Sequence, residues 1–582
     1  MVLVMPLLLL LSQSFTAADL PEADFVVAPD GNDGNPGSLE APFATIQRAQ
    51  EAVRGLLAQG LDNNVTVFLR EGEYVLEQPL VFGPADSGTA NFIVRYAAYP
   101  GETPVLSGGR RLTGWTKGEN NQWTLNVAEA AGEAWPFRQL FADGERLPRG
   151  RFPNPPDLLR VEAVSPDVTG ITLTTAPPVA SLSGKDAELV MYQNWSISRT
   201  AIVSSENNVL KLANPMGWIG HGDATTASPG KPAIIENALE FVDQPGEWYL
   251  NRTSGLLTYQ AAEGEDPNAK AFIAPKLEQL LVVEGHPDAP VINLWFEGLT
   301  FAHAEWALPP FGYLGIQAGH YGTTTTDRTY VLPVGIEFTF AERCALERCR
   351  VEHFGASAIG FGPRCRHNRV AGCALTDIGG NGIMTGWRGK GSLAGSAPAE
   401  DHHLAADWAN PDDVPTGNEI VANEVQTCGA VNHGCVGIFD AFCAETRIAH
   451  NVVHAMPYTG ISAGFRWDES PTSQRGAVIE YNHVYDTMRM LADGGCLYTL
   501  GWQPGAVIRG NVFHDAHRSA FAHGGAPNNG IFFDQGSKGF HVTGNTIYNC
   551  SGGPIRFNQT GAGSMTWENN ALETGPDYAA EP

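Results

Sequence analysis

Late in the chain, two segments each set an aspartate among glycines and aromatic residues: Leu491-Ala-Asp493-Gly-Gly-Cys-Leu-Tyr498-Thr-Leu-Gly501-Trp502 and Gly530-Ile-Phe-Phe-Asp534-Gln535-Gly-Ser537. Two carboxyls are what hydrolysis of a glycosidic bond requires. One protonates the leaving oxygen, and the other attacks the anomeric carbon or activates water. Aromatic faces suit the C–H faces of sugars, so Tyr458, Arg466, Trp467, Tyr498 and Trp502 are candidate substrate contacts, with Gln535, His433 and His523 as polar partners. Asp440, Asp468 and Glu469 could line the same groove, and Asp468-Glu469 is an alternative source of the second carboxyl.

A pair of aspartates can cooperate only if the chain brings them together, and a repeat spans them. Its mark is Asn followed two residues later by Val, Ile or Phe: Asn368, Asn423, Asn451, Asn482, Asn511 and Asn545. The last five are 28, 31, 29 and 34 residues apart, and the 55 between Asn368 and Asn423 fits two turns or one turn with a long loop. A second mark, Gly before an apolar strand, trails the Asn at Gly437, Gly460, Gly495 and Gly530. One coil per repeat, with Asn at a sharp turn bonding the next copy of itself, describes a right-handed parallel β-helix. Asp493 and Asp534 then lie on consecutive coils, which stack about 4.8 Å apart. If Gly495 aligns with Gly530, the aspartates are offset by six residues, about 20 Å along straight strands. A bulge at Gly494-Gly495 would close that gap.

The rest of the chain fits this scaffold. Thr45 caps a helix with Ile46, Ala49, Val53, Leu56 and Leu57 on one face, suited to plug the open solenoid end. Runs such as Val65–Leu69 follow as first coils. From 108 to 288 no repeat is visible, and Gly246–Tyr259 reads as a hairpin, so an inserted antiparallel β-sandwich-like domain is expected there. The expected division is 1–18 signal peptide, 19–107 cap and first coils, 108–288 insertion, and 289–582 main β-helix with the groove. The apolar N-terminal run followed by Thr16-Ala17-Ala18 predicts a secreted or periplasmic protein.

The formal charge of −27 argues against nucleic acid and anionic membrane as partners. A carbohydrate is the expected substrate and a monomer the expected state. The nine Cys form no CxxC pair and read as small core residues. No cofactor is called for, although Ca²⁺ is left open. His402-His403, near Asp401 and Asp407, reads as an exposed loop and Gly220-His221-Gly222 as chance.

The segments Val27-Ala-Pro-Asp-Gly-Asn-Asp-Gly-Asn-Pro-Gly37, Pro245-Gly-Glu-Trp-Tyr-Leu250, Tyr458-Thr-Gly-Ile-Ser462 and the two aspartate motifs together resemble glycoside hydrolase family 141. The resemblance covers most of residues 24–572. It implies a parallel β-helix carrying a β-sandwich-like insertion, α-L-fucosidase or xylanase activity, and catalytic aspartates at Asp493 and Asp534. Gln535 stands where family members often have Glu, and Phe557-Asn-Gln559 lacks the His they often carry there. Two other functions use the same scaffold. A polysaccharide lyase would need positive charge or Ca²⁺ beside a base, and no Lys/Arg cluster is visible along the chain. A non-catalytic glycan-binding protein would need only the aromatics.

Overall fold

The computed structural model describes residues 23–322, 329–387, 407–519, 521–573 and 575–576. Residues 1–18, and Asp401 with His402-His403, lie outside the described residues, as does the side chain of His221 in Gly220-His221-Gly222. Coil after coil adds one short strand to each of three long parallel sheets, of twelve, ten and twelve strands. Among the described residues of these three sheets, only the closing pair, Ala571–Leu572 with Gly575–Pro576, is antiparallel. Apolar residues of equal register stack down the interior: Ile438, Ile461, Leu497, Ile531 and Ile555 form one such file. The chain is a right-handed parallel β-helix with an N-terminal capping helix and an inserted antiparallel β domain.

The Asn mark is an amide ladder. Backbone and side-chain nitrogens of Asn423, Asn451, Asn482, Asn511 and Asn545 each donate to the side-chain oxygen of the next Asn, ending on Asn570, at 2.9–3.0 Å. Each side-chain nitrogen also reaches a carbonyl of the previous coil, as Asn482 does at Ile448. These amides are buried, so the ladder satisfies groups that would otherwise each cost about 1–3 kcal/mol. Asn368 stands in a neighbouring file and bonds to Asn418. Strand Arg369–Ala371 pairs directly with Glu419–Val421, so the long interval is one turn with a long loop.

Helix Ile46–Leu57 buries Ile46, Ala49 and Val53 against the first coils, with Thr45 accepting from the Arg48 amide at 3.2 Å. The antiparallel insertion leaves the solenoid after Pro104–Ser107 and returns before Leu281–Glu284. It holds two apolar cores of its own, one around Leu189 and Ile235, the other around Trp248 and Phe272. One stretch read from sequence as solenoid behaves otherwise. Strands Tyr313–Gln317, His320–Gly322 and Thr329–Val331 extend the insertion's sheet, with Leu314 opposite Ser198. The run Tyr-Leu-Gly-Ile-Gln is apolar enough for either setting, and periodicity does not say which partner a strand will take. This excursion lays the insertion against the outer face of the ten-stranded sheet, where His320 packs on Phe439 and Phe465.

Candidate active site

The ten-stranded sheet carries strands Gly495–Thr499, Asn529–Phe533 and Ile555–Phe557 side by side. Their register differs by one residue from the sequence expectation, because Gly495 lies opposite Asn529 and Tyr498 opposite Phe532. Asp534 therefore sits level with Leu500, seven positions beyond Asp493, and straight strands would hold the two far apart. No bulge closes the gap. Asp493 itself turns the chain, at φ 63°, before the strand begins. That left-handed conformation is one Asp tolerates better than most residues. Its amide donates to Ala526 O at 3.2 Å and its carbonyl accepts from the Tyr458 hydroxyl at 3.1 Å, which holds the turn over the sheet.

Both aspartates consequently line one cavity of about 230 Å³, with Tyr498, Trp467, Gln535 and Asn558 from the solenoid and Trp195, Ile316 and Gln317 from the insertion side. The next coil serves both carboxyls. Arg556, opposite Phe532 and 4.2 Å over its ring, donates to Asp493 Oδ1 at 2.8 Å. Two residues on, Asn558 donates to Asp534 Oδ1 at 2.7 Å. Side chains two apart on a strand share a face about 7 Å apart, so one strand handles both carboxyls.

The two acids sit in different surroundings. Asp534 is 8% exposed, and burial raises its pKa above the usual carboxylate range, with the Asp493 charge pushing the same way. The Tyr498 hydroxyl, 2.5 Å from Asp534 Oδ2, and the Asn558 amide partly offset this by donating to the ionised form. Burial holds the Tyr498 phenol well above its ordinary pKa, so it remains a donor. Asp493 is more accessible and paired with a guanidinium. One carboxyl is buried, which favours its protonated form, and the other is ion-paired with Arg556. That is the division of labour acid/base chemistry requires.

Of the residues named from sequence, Asp493, Asp534, Tyr498, Trp467 and Gln535 meet in this cavity. Tyr458 is not a sugar platform: it is buried under the Asp493 turn and supports it from below. Arg466 is held by Asp468 at 2.9 and 3.0 Å. Asp468 is accordingly brought down to about 2, burial opposing but the Arg466 pairing prevailing. Glu469 pairs with Lys538, and buried Asp440 with Thr385 and Gln474, so none of these three supplies the second carboxyl. Trp502 opens strand Trp502–Arg509 of a twelve-stranded sheet, around the corner from the aspartates. His523 packs against Gly230 of the insertion. His433 is half-buried and lines a neighbouring cavity, stacked on Tyr192.

Sequence reading missed Arg556, Asn558, Gln317, Ile316 and Trp195. The first two carry a signal, since Ile555-Arg-Phe-Asn558 repeats Ile531-Phe-Phe-Asp534 one coil later. The others reach the site through tertiary docking, with the Trp195 indole donating to Ile316 O at 2.7 Å. The expectation of no basic cluster is also overturned: five arginines scattered between 138 and 199 converge on the cavity that holds His433. Among the described residues no group of three or more His, Cys, Asp or Glu could hold a metal, and no helix is long and apolar enough to cross a membrane.

The sequence matches no protein-family model and no curated protein. Among solved structures, one named "Glycoside hydrolase" superposes with a TM-score of 0.82 at 24% identity, over 94% of this chain and 96% of its own. A second, XylC in complex with xylose, superposes with a TM-score of 0.50 at 14% identity, over 94% of this chain and 76% of its own. At such identities the likeness speaks to architecture, and it is that of the parallel β-helix.

Proposed function

We propose that this protein is a glycoside hydrolase in which Asp534 is the general acid and Asp493 the second carboxyl, acting as nucleophile or base. The observation that carries the reading is the convergence of two acids from consecutive coils on one cavity, one of them buried with its pKa raised and the other paired with Arg556. Buried Asp534 is suited to deliver a proton to the leaving oxygen. Asp493, beside Arg556, presents a carboxylate to the anomeric centre or to a water. Trp467 and Trp195 offer aromatic faces to the sugar, and Gln317 and Gln535 offer hydrogen-bonding groups. A specificity of the α-L-fucosidase or xylanase type is the finer part of this reading. It leans on the motif resemblance and, for xylanase, on a fold neighbour solved with xylose. Action outside the cytoplasm is included, on the leader-like N-terminus.

The test is a screen of plant and algal glycans with the wild type, Asp493→Asn and Asp534→Asn. New reducing ends from the wild type alone, with all three proteins melting alike, are expected. Absorbance from an unsaturated uronic acid would instead mean a lyase. Glycan retention without turnover would mean a binding protein. Full activity in either variant would remove that aspartate from the mechanism.

A further inference from the structure

Beside the candidate active site, a second cavity of about 320 Å³ lies in the seam between insertion and solenoid. Arg138, Arg146, Arg149, Arg151 and Arg199 line it. These five guanidinium groups are met by three carboxylates. Glu188 takes two bonds from Arg138 at 2.6 and 2.7 Å and is shared by Arg149 and Arg199. Glu236 pairs with Arg199 and stands 3.8 Å from Arg149. Asp377 is taken by Arg146 at 2.7 Å. Arg151 meets no carboxylate within ion-pair distance among the described residues, and its Nε donates only to the Pro153 carbonyl at 3.0 Å.

The shortfall shows atom by atom. Arg149 and Arg199 have side chains 10% and 5% exposed, yet the Nε–H of each has no partner, and neither has Nη2 of Arg151. Buried charge without full pairing is costly. Burial, with Arg138 and Arg199 adding to it, brings Arg149 down to about 10. Fork-shaped donors with empty positions around a space of this size match a planar or tetrahedral oxyanion. A further cavity of about 410 Å³, bounded by Pro457, Met490 and Phe521, shares Ala430, His433 and Met490 with the arginine cavity. Met490 lies only three residues before Asp493, at most about 11 Å of chain.

We infer that the arginine cavity binds a compact oxyanion, the carboxylate or sulfate substituent of an acidic glycan. The proposal rests on the glycan-processing reading above and narrows it: the preferred substrate carries negative charge on a sugar near the bond that is cut. A chain of formal charge −27 that nonetheless concentrates arginines in one internal space is selecting for such a group.

The experiment measures melting and calorimetric binding with four probes: inorganic sulfate, an acidic oligogalacturonide, a sulfate-ester oligosaccharide and a neutral xylo-oligosaccharide. Wild type, Arg151→Gln, Arg149→Gln and Asp534→Asn are compared. Sulfate should raise the wild-type melting temperature, an effect absent with an equivalent ionic strength of chloride. The oligogalacturonide should bind at least about tenfold tighter to wild type than to either arginine variant, the weight of one charge-assisted hydrogen bond. Asp534→Asn should bind it as wild type does. Arg151→Gln should melt no lower than wild type in anion-free buffer, because it removes a half-buried charge that meets no carboxylate among the described residues. A sulfate ester that binds where the carboxylate does not would assign the substituent as sulfate. Unchanged anion binding in both arginine variants would overturn the proposal, as would a uniform loss of melting temperature with the anion effect intact. Intact anion binding together with undiminished turnover in Asp534→Asn would sink the catalytic reading alone.

Discussion

Tyr498→Phe tests the acid assignment with one oxygen atom removed. The Tyr498 hydroxyl lies 2.5 Å from Asp534 Oδ2 in a buried setting and donates to the ionised carboxylate more strongly than to its protonated form. A hydrogen bond to a charged group contributes about 1.5–3 kcal/mol. At 1.36 kcal/mol per pKa unit, its loss should raise the Asp534 pKa further, by about 1–2 units. A general acid works while protonated, so activity persists below its pKa and fails above it. The alkaline limb of the kcat/KM profile should therefore move upward in pH by about 1–2 units in the variant. The ring still fills its place beside Phe532, so a matching melting curve would show the fold unchanged. The assay is the pH profile on whichever glycan the screen identifies, with the ¹³C-carboxyl resonance of Asp534 titrated in parallel. An unmoved limb in a folded variant would refute the assignment, and a downward shift would reverse the electrostatic argument.

Asn558→Leu removes the other side-chain donor and should move the same limb upward, with a larger loss of kcat because an apolar side chain replaces a polar one at the cavity wall; unchanged kinetics would detach Asn558 from the acid. Trp467→Ala should cost about tenfold in kcat/KM, mostly as a higher KM, if its half-buried face is a sugar platform. Asn482→Ala breaks the amide ladder in mid-file, where its side chain accepts from Asn451 and donates to Ile448 and Asn511, and should destabilise by about 3 kcal/mol in denaturant titration. Glu305 is buried, accepts from the amides of Arg138, Gln139 and Trp306, and is pushed up to about 7, mainly by burial. Its folded-state pKa lies above the ordinary 4.5, so its contribution to stability is complete below about 4.5 and is lost as pH rises through 7, on the order of 3 kcal/mol. Glu305→Gln should flatten that part of the melting-temperature curve; parallel curves for the two proteins would refute it.

Much of the fold was legible because solenoids repeat their physics. The Asn recurs since each coil must satisfy the same buried turn, and helix Ile46–Leu57 announces itself by one apolar face and a threonine cap. The solenoid register was harder. Gly495 and Gly530 both precede apolar strands, but the ladder pairs Gly495 with Asn529, because stacking Leu497 on Ile531 decides the alignment and the glycines do not. The aspartate pair was legible as residue types on neighbouring coils, whereas the left-handed turn at Asp493 that brings it over the sheet was not. Trp195 and Gln317 were invisible for a different reason: they belong to the insertion and meet the aspartates only by docking. The arginines were hidden likewise, spread along separate strands until the sheet gathers them.

The split ancestry of the cavity has a consequence for how the molecule comes into being. Trp195 and Asp534 are 339 positions apart, and contacts so distant along the chain close late. During synthesis residues 108–288 emerge before the coils on which they will rest, with two apolar clusters of their own to gather around. Their exposed underside then waits for the ribosome to finish the final turns. Catalytic competence should thus appear as the last event of maturation, well after most backbone pairing is in place.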